Sequence, residues 1–360
     1  MAHNGLVPTI HELPTPALLL DLDAFDANMA RMAARIKERG KNLRPHAKAH
    51  KCPEIARRQV AAGAIGVCVA TLAEAEMMAA AGIGGLLLTS PVADPRKMAR
   101  VMNTGAMVVV DHMQQANWYD EAARVAGRKV DVLVDLDVGD HRTGARSKEQ
   151  ALAIAEAVDA AANLELRGLQ TYSVSGSHAG GLEERRKLSR RVFHLVSDVV
   201  GAMLRRGLCC DVVSGGSTGT WDIDTKVADL TELQAGSYVF MDVAYRREGL
   251  DFQHALTVLA TVVSANHEGF VTVDAGFKAF STDRGYGPEV VDMPGATYRW
   301  GGDEFGYVDA TKLALGERVR FLPPHCDPTV NLYDRIHACR GDEVEAVWGL
   351  KKEREFGYTA

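Results

Sequence analysis

Short apolar runs alternate with amphipathic segments from residue 42 to about residue 240 of this 360-residue chain. Several runs are apolar throughout, which is typical of parallel strands that are covered on both faces. The eight runs are NLRPH (42–46), GVCVA (66–70), GLLLT (85–89), AMVVV (106–110), VDVLVDLDV (130–138), LELRGLQTY (164–172), DVVSGG (211–216) and ELQAG (232–236). The segments between them, such as PEIARRQVAAG and KEQALAIAEAVDAAAN, predict helices. Eight strand-then-helix units in series predict an α/β fold of the (β/α)8 TIM-barrel type.

Strand-type runs replace the helical periodicity after about residue 250. These runs are ALTVLATVVSA, GFVTVDAG, ERVRFLP and EAVWGL, and Gly-rich turns such as DRGYGPE separate them. We therefore predict a barrel domain over residues 20–245 and a C-terminal, mainly β domain that residues 1–19 and 246–360 form together. The segment TPALLLDLDAFDANMARMAARI precedes the barrel. We expect its apolar strand to join the second domain and its helix to cap or enter the barrel.

Composition and charge exclude several classes of protein. With 47% hydrophobic and 24% charged residues, the chain has the composition of a soluble globular protein. A net charge of −6 argues against nucleic acid as a partner. An N-terminus without an apolar leader, and the lack of an uncharged run of transmembrane length, predict a cytoplasmic protein with no membrane partner. The six cysteines contain no CxxC pair, so we expect reduced apolar fillers rather than a disulfide framework.

Four basic side chains lie at the end of the first predicted strand or directly after it, in the stretch RPHAKAHK (44–51): His46, Lys48, His50 and Lys51. Active sites of such barrels lie at the carboxyl ends of the strands. A partly desolvated lysine near other cations attacks carbonyl groups readily, so Lys48 is a candidate for covalent chemistry. A solvent-exposed basic loop is the alternative, because most lysines lie at the surface. If the segment stays extended, His46, Lys48 and His50 point to one side, and Lys51 is expected at the surface.

Small and hydroxyl-bearing residues follow the seventh and eighth predicted strands. Such loops offer backbone N–H groups and hydroxyls, and they form the usual phosphate site of these barrels. Flexible turns are the alternative. The predicted phosphate-binding residues are Gly216, Ser217, Thr218, Gly236, Ser237 and Tyr238. A phosphate site opposite a reactive lysine predicts a phosphorylated aldehyde cofactor held as a Schiff base, and pyridoxal 5′-phosphate is the obvious example.

A histidine and an aspartate alternate in PPHCDPTVNLYD (323–334). On an extended strand His325 and Asp327 face the same way, and such a pair suits Mn²⁺, Mg²⁺ or Zn²⁺ with water at the open positions. A structural histidine beside a turn-forming Asp-Pro is the alternative.

Six stretches, in chain order, resemble the D-threonine aldolase and D-serine dehydratase-like family, a branch of the fold-type III, alanine-racemase-like pyridoxal-phosphate enzymes. They are RPHAKAHK, GLQTY, VSGGSTGT, ELQAGSYVFMD, DAGFKAFSTDRG and PPHCDPTVNLYD, and the resemblance covers essentially the whole chain. The resemblance implies that Lys48 holds the cofactor covalently, that Arg142 lies near its ring, and that Tyr172 contacts the cofactor or its lysine. It also implies that the Ser/Thr/Gly loops hold the cofactor's phosphate. Finally, it implies that His325 and Asp327 bind the metal and that His178 is a general base. One departure is Phe305, where related sequences often have histidine.

The resemblance implies a metal-assisted retro-aldol cleavage of D-β-hydroxy-α-amino acids, such as D-threonine giving glycine and acetaldehyde. The family's dehydratases tend to have His-x-Cys at the metal site, whereas this chain has His-x-Asp, as in the aldolases. A D-serine or D-3-hydroxyaspartate dehydratase and a 3-hydroxy-D-aspartate aldolase are the alternatives within the family. A non-catalytic pyridoxal-phosphate-binding protein and a metal-only barrel lyase or hydrolase are alternatives from other classes. The resemblance also implies a homodimer.

Overall fold

The computed structural model describes residues 8–291, 293–309 and 312–350. The strands are β1 (Ala17–Asp21), β2 (Asn42–Leu43), β3 (Cys68–Val69), β4 (Leu87–Leu88), β5 (Met107–Val110), β6 (Val130–Asp135), β7 (Leu164–Thr171), β8 (Val212–Gly215), β9 (Glu232–Leu233), β10 (Leu256–His267), β11 (Phe270–Val273), β12 (Glu289–Val290), β13 (Thr297–Trp300), β14 (Gly306–Asp309), β15 (Arg318–Leu322), β16 (Arg335–Arg340) and β17 (Glu343–Gly349). The α-helices are α1 (Leu22–Glu38), α2 (Pro53–Ala61), α3 (Leu72–Ala80), α4 (Pro95–Val101), α5 (Met113–Ala126), α6 (Lys148–Ala160), α7 (Val174–Ser177), α8 (Leu182–Arg205), α9 (Trp221–Asp224), α10 (Val243–Arg247) and α11 (Cys326–Val330). Short 3₁₀ helices cover Ile10–Glu12, Ala47–Ala49, Met102–Thr104 and Ser237–Val239.

The chain forms two compact units, which we describe separately. The barrel unit comprises residues 32–48 and 53–236, and the β unit comprises the described residues of 1–31, 49–52 and 237–352. The domain boundaries at 19/20 and 245/246 stay predictions. In the described part of the chain, the helices lack the combination of length and apolar composition that crossing a bilayer requires.

Eight parallel strands, β2 to β9, form the sheet of the barrel unit. Their order is β2-β9-β8-β7-β6-β5-β4-β3, and a parallel bridge between His46 and Cys68 joins the two ends of this order. The eight strands therefore close into a ring, which confirms the predicted (β/α)8 barrel. The strands are shorter than the apolar runs that predicted them, because each run extends beyond its strand at one end or at both.

Alternation along the strands separates two hydrophobic clusters. Cys68, Leu87, Val109 and Leu133 form a small cluster of one residue from each of four neighbouring strands. The flanking strand positions pack instead with residues of the surrounding helices in a much larger cluster. The small cluster is thus the barrel interior, and the large one is the layer between strands and helices.

The barrel helices begin at local sequence signals. The side chains of Thr71 and Ser147 accept hydrogen bonds from the backbone of the first turns of α3 and α6. Asp94 does the same for α4, where a proline occupies the first helical position. Helix α5 ends at Gly127, whose φ of 63° is in the left-handed region that favours glycine. These signals fix where each helix starts relative to the strand before it.

The β unit contains a mixed sheet in which β1 occupies an inner position. β1 pairs antiparallel with β10 and parallel with β16. This confirms that the apolar strand near the N-terminus joins the second, mainly β part of the chain.

All six cysteines are free thiols, and four of them are buried, whereas Cys209 and Cys210 are partly exposed.

Candidate active site

A cavity of about 300 Å³ lies at the carboxyl ends of the barrel strands. Its lining residues all follow, or end, a barrel strand. They are His46, Lys48, Ala70, Thr89, Ser90, Pro91, Arg142, Thr143, Gln170, Tyr172 and Gln234. The structure therefore brings together three predicted site residues, Lys48, Arg142 and Tyr172, from three separate loops.

Lys48 is half-buried and lies in the middle of the 3₁₀ turn Ala47–Ala49. The segment is therefore not extended, and the condition under which His46, Lys48 and His50 would point to one side is not met. The backbone N–H of Lys48 donates to Nδ1 of His46 at 3.4 Å. The other ring nitrogen of His46 lies 3.1 Å from Oγ1 of Thr89. His46 therefore fixes the turn that presents Lys48 to the cavity.

His50 and Lys51, which follow Lys48 in this stretch, do not line the cavity. His50 is fully buried, and its ring meets the edge of Phe240 with centroids 6.5 Å apart. Lys51 is only 7% exposed and has a φ of 49°, so the prediction of a surface lysine is wrong. The backbone N–H of Cys52 donates to Nδ1 of His50 at 3.1 Å. This hydrogen bond closes the tight turn whose middle residue is Lys51.

Arg142 and Tyr172 form one wall of the cavity. The guanidinium carbon of Arg142 lies 5.3 Å from the centroid of the Tyr172 ring, which is a cation–π arrangement. The hydroxyl of Ser177 donates to the Tyr172 oxygen at 3.4 Å. His141, which precedes Arg142, points into solvent and has 85% of its side chain exposed. Of the two basic residues in this loop, only Arg142 thus faces the cavity.

A chain of buried polar side chains forms the floor of the cavity, and the sequence analysis missed it. The Gln170 amide donates to the Thr89 carbonyl at 2.8 Å and to Oδ1 of Asp135 at 2.9 Å. The Gln234 amide donates to Oγ of Ser214 at 2.8 Å. Burial raises the pKa of Asp135 to about 6, against the hydrogen bonds that Gln170 and Thr143 donate to it. The available signal was a polar residue at the end of an otherwise apolar strand, since a buried polar group there needs a partner.

The loop after β8 is held together by its own hydroxyls. The Ser217 N–H donates to Oγ1 of Thr220 at 3.1 Å, and the two hydroxyls also lie 3.1 Å apart. Gly216 has a φ of 71°, and a Cβ there would lie 2.7 Å from a methyl of Leu233. Thr218 is fully buried at 1% exposure. The loop is thus a compact turn of small residues, and its role as a backbone cradle for a phosphate group stays a prediction.

His178 lies in the turn between α7 and α8 and is half-buried. Within the described residues it is absent from the lining of the cavity. Its role as a general base stays a prediction.

The predicted metal ligands lie in the β unit, where the local geometry differs from the expectation. His325 is extended, but α11 begins at the next residue, so Asp327 lies in a first helical turn and not on a strand. Nδ1 of His325 lies 2.7 Å from Oδ2 of Asp283. Burial acts to raise the pKa of Asp283, but the hydrogen bond and charge of His325 outweigh it and lower the pKa. A carboxylate on one ring nitrogen orients the other nitrogen, as in many metal-binding histidines.

Asp327 is linked to a residue that was predicted for the phosphate. The Ser237 hydroxyl donates to Oδ1 of Asp327 at 3.3 Å, while Tyr238 is buried against Phe252 with ring centroids 5.9 Å apart. Gly236 is the last residue of the barrel unit. In the described part of the chain, no three His, Cys, Asp or Glu side chains converge on one point. The assignment of His325 and Asp327 as metal ligands stays a prediction.

The donor set fits a divalent ion of the Mn²⁺, Mg²⁺ or Zn²⁺ type, because one imidazole and one carboxylate are available. Nη2 of Arg284 lies 3.3 Å from Nε2 of His325. The guanidinium must turn aside for this nitrogen to bind an ion.

Two family models match consecutive parts of the chain. The model described as alanine racemase, N-terminal domain, matches residues 20–244, and a serine dehydratase domain model matches residues 255–339. A D-threonine aldolase from Arthrobacter sp is 38% identical over 348 residues, which are 93% of this chain and 92% of the relative. The chain belongs to the D-threonine aldolase and D-serine dehydratase-like family. The resemblance seen in the sequence motifs is thereby confirmed.

Further comparisons place the family fold over the whole chain. A 3-hydroxy-D-aspartate aldolase from Paracoccus denitrificans (strain Pd 1222) is 36% identical, covering 94% of this chain and 91% of the relative. The crystal structure of D-threonine aldolase from Filomicrobium marinum has a TM-score of 0.93 and is 36% identical, covering 97% of this chain and 98% of that one. The family fold, an alanine-racemase-like barrel with a mainly β C-terminal part, is thus the fold of this chain.

Proposed function

We propose that this protein is a pyridoxal-phosphate-dependent carbon–carbon lyase that cleaves D-β-hydroxy-α-amino acids, with D-threonine as the reference substrate. The observation that carries the proposal is the position of Lys48 in the barrel cavity, facing the Arg142–Tyr172 pair. The D-threonine aldolase relatives, at 38% and 36% identity, support the choice of substrate.

The residues of the cavity fit the cofactor. Lys48 would hold its aldehyde carbon, Arg142 and Tyr172 would lie beside its ring, and the loop after β8 would bind its phosphate. Once bound, the cofactor supplies an electron sink for the carbanion that remains when the Cα–Cβ bond breaks.

Side chains of this protein would orient the substrate, transfer its protons and hold the metal ion. In this proposal Lys48 would hold the cofactor until the substrate amine replaces it, and Arg142 and Tyr172 would orient the bound substrate for cleavage of its Cα–Cβ bond. His178 removes the proton of the β-hydroxyl, and a returned proton at Cα completes glycine. His325 and Asp327 would hold a divalent ion, whose charge favours loss of the β-hydroxyl proton.

Product analysis tests the reaction. Incubation with D-threonine is expected to give acetaldehyde and glycine. Formation of 2-oxobutanoate without acetaldehyde would show a dehydratase instead. The same assay with 3-hydroxy-D-aspartate, whose retro-aldol cleavage gives glycine and glyoxylate, tests the alternative that the Paracoccus relative favours.

Absorption spectroscopy tests the cofactor. The purified protein is expected to show a visible band with pyridoxal 5′-phosphate, and Lys48→Ala is expected to abolish both the band and the activity. Lys129→Ala is the matched control, because Lys129 is exposed and pairs with Glu165 on the surface. A colourless wild-type protein that cleaves D-threonine without added cofactor would contradict the proposal. Light scattering after gel filtration would test the proposed homodimer.

A further inference from the structure

Arg142 lies on a short loop that leaves β6 and returns to it. A parallel bridge joins Leu136 to Ala145 at the base of this loop. The Ala145 N–H donates to the Asp135 carbonyl at 2.8 Å, and the Asp137 N–H donates to the Ala145 carbonyl at 3.1 Å. The loop therefore starts and ends at a fixed place on the barrel rim.

Carboxylates hold both sides of the loop. Oδ1 of Asp137 accepts the N–H groups of Gly139 at 2.9 Å and His141 at 3.0 Å. On the other side, Oδ2 of Asp111 accepts the N–H of Gly144 at 3.0 Å. Gly144 has a φ of 103°, and a Cβ there would lie 2.3 Å from the Asp137 nitrogen, so only glycine allows this close return.

A further hydrogen bond, between Thr143 and Asp135, joins the tip of the loop to the buried polar residues of the cavity. Arg142 and Thr143 are solvent-exposed, but the Thr143 hydroxyl donates to Oδ2 of Asp135 at 2.8 Å. Asp135 is only 4% exposed, and its second oxygen accepts the Gln170 amide at 2.9 Å. A buried, doubly hydrogen-bonded carboxylate thus fixes the residue next to an exposed arginine.

We propose that Thr143 and Asp135 are positioning residues that hold the Arg142 guanidinium against the Tyr172 ring, in the place where it contacts the bound cofactor. The inference rests on the proposed function. A free arginine side chain has high rotamer entropy, and anchoring the adjacent residue lowers the entropic cost of ordering that side chain when the cofactor binds.

The chemistry of Asp135 argues for function rather than for stability. Its burial disfavours the charged form and raises its pKa to about 6, so a neutral isostere would suit the fold better near neutral pH. Both of its side-chain partners, Gln170 and Thr143, line the cavity. A buried carboxylate lowers the stability of the fold near neutral pH. When its hydrogen-bond partners all line one cavity, we expect it to serve the positions of the side chains in that cavity.

A double-mutant cycle on cofactor affinity tests the inference. Apo-protein of the wild type, Thr143→Val, Arg142→Leu and the double variant is titrated with pyridoxal 5′-phosphate and followed by its visible absorption. If Thr143 acts through Arg142, Thr143→Val weakens binding about 10-fold in the wild type and less than about 2-fold in Arg142→Leu. Thr143→Ser, which keeps the hydroxyl, is expected to restore wild-type affinity.

The control is Thr104→Val, which removes a comparable hydroxyl bond to the Val101 carbonyl at 2.7 Å outside the cavity; it is expected to leave affinity unchanged. Equal losses from Thr143→Val in both backgrounds would overturn the inference while leaving the proposed function intact. A wild-type protein that binds no pyridoxal 5′-phosphate would overturn both. If Thr143→Val does not fold, the same cycle with Thr143→Ala, which also removes the hydroxyl, decides by the same criterion.

Discussion

Replacing Asp135 by asparagine is expected to make the fold more stable near neutral pH, although the residue is buried and hydrogen-bonded. Burial raises the pKa of this carboxyl from its ordinary value of 3.8 to about 6. The carboxyl therefore stabilises the fold fully below its ordinary pKa, and this contribution is lost as the pH rises through about 6. Two pKa units correspond to about 3 kcal/mol.

Asparagine is uncharged and therefore avoids the cost of burying a carboxylate, but its single side-chain oxygen replaces the two oxygens that accept hydrogen bonds in the wild type. Its oxygen can still accept the Gln170 amide while its nitrogen donates to the Thr143 hydroxyl, and exchanging charge-assisted hydrogen bonds for neutral ones costs about 1 kcal/mol. The variant is then about 2 kcal/mol more stable than the wild type near pH 7.5. Near pH 4 this advantage disappears, because the wild-type carboxyl is protonated there.

Urea unfolding of the wild type and Asp135→Asn, followed by circular dichroism between about pH 5 and pH 8, measures the difference. Asp224 has a pKa raised to about 6 by burial, but it is present in both proteins and cancels in the comparison. A variant that is less stable at pH 7.5, with an unchanged dependence on pH, would refute the reasoning.

Three further substitutions probe the predicted phosphate loop, the carboxylate beside the predicted metal ligand His325, and a buried ion pair of the barrel. Gly216→Ala is expected to cost about 2–5 kcal/mol, because φ is 71° and the new Cβ lies 2.7 Å from a side chain; urea unfolding checks this. Asp283→Asn is expected to weaken Mn²⁺ binding about 10- to 100-fold by calorimetry, with the exposed Asp303→Asn as control. Arg44 and Glu232 form a bidentate pair with both bonds at 2.9 Å. We expect Arg44→Met alone to lower the free energy of unfolding by about 3–5 kcal/mol, because it leaves the Glu232 carboxylate buried without its partner. The double variant with Glu232→Leu is expected to have nearly the stability of the wild type, and an equal loss of stability in the two variants would contradict this reasoning.

The barrel could be predicted because its strands are short, apolar and regularly spaced. The rule that active sites lie at strand carboxyl ends then selected Lys48, Arg142 and Tyr172, which the structure brings to one cavity. Side-chain partners such as Asp135 and Gln170 could not be predicted, although they lie opposite each other on the consecutive strands β6 and β7, since the sequence does not show the register between two strands.

Local conformation was the weaker part of the prediction. Polarity suggested that Lys51 is exposed, but a tight turn buries it. Alternation suggested that His325 and Asp327 share a strand face, although Asp327 lies in the first turn of a helix that begins at Cys326. Pro328, which follows Asp327, suits a first helical turn and was the missed signal.

The inner position of β1 has a consequence for how the chain is made. Residues 17–21 emerge early in synthesis, yet their partners are residues 256–259 and 337–339. The β unit therefore cannot complete its sheet until nearly the whole chain has been synthesised, whereas the barrel strands all lie within residues 42–233. Since non-local strand pairing is slow and exposes apolar edges, the Ala17–Asp21 segment is where we expect chaperone contact and aggregation to begin during expression.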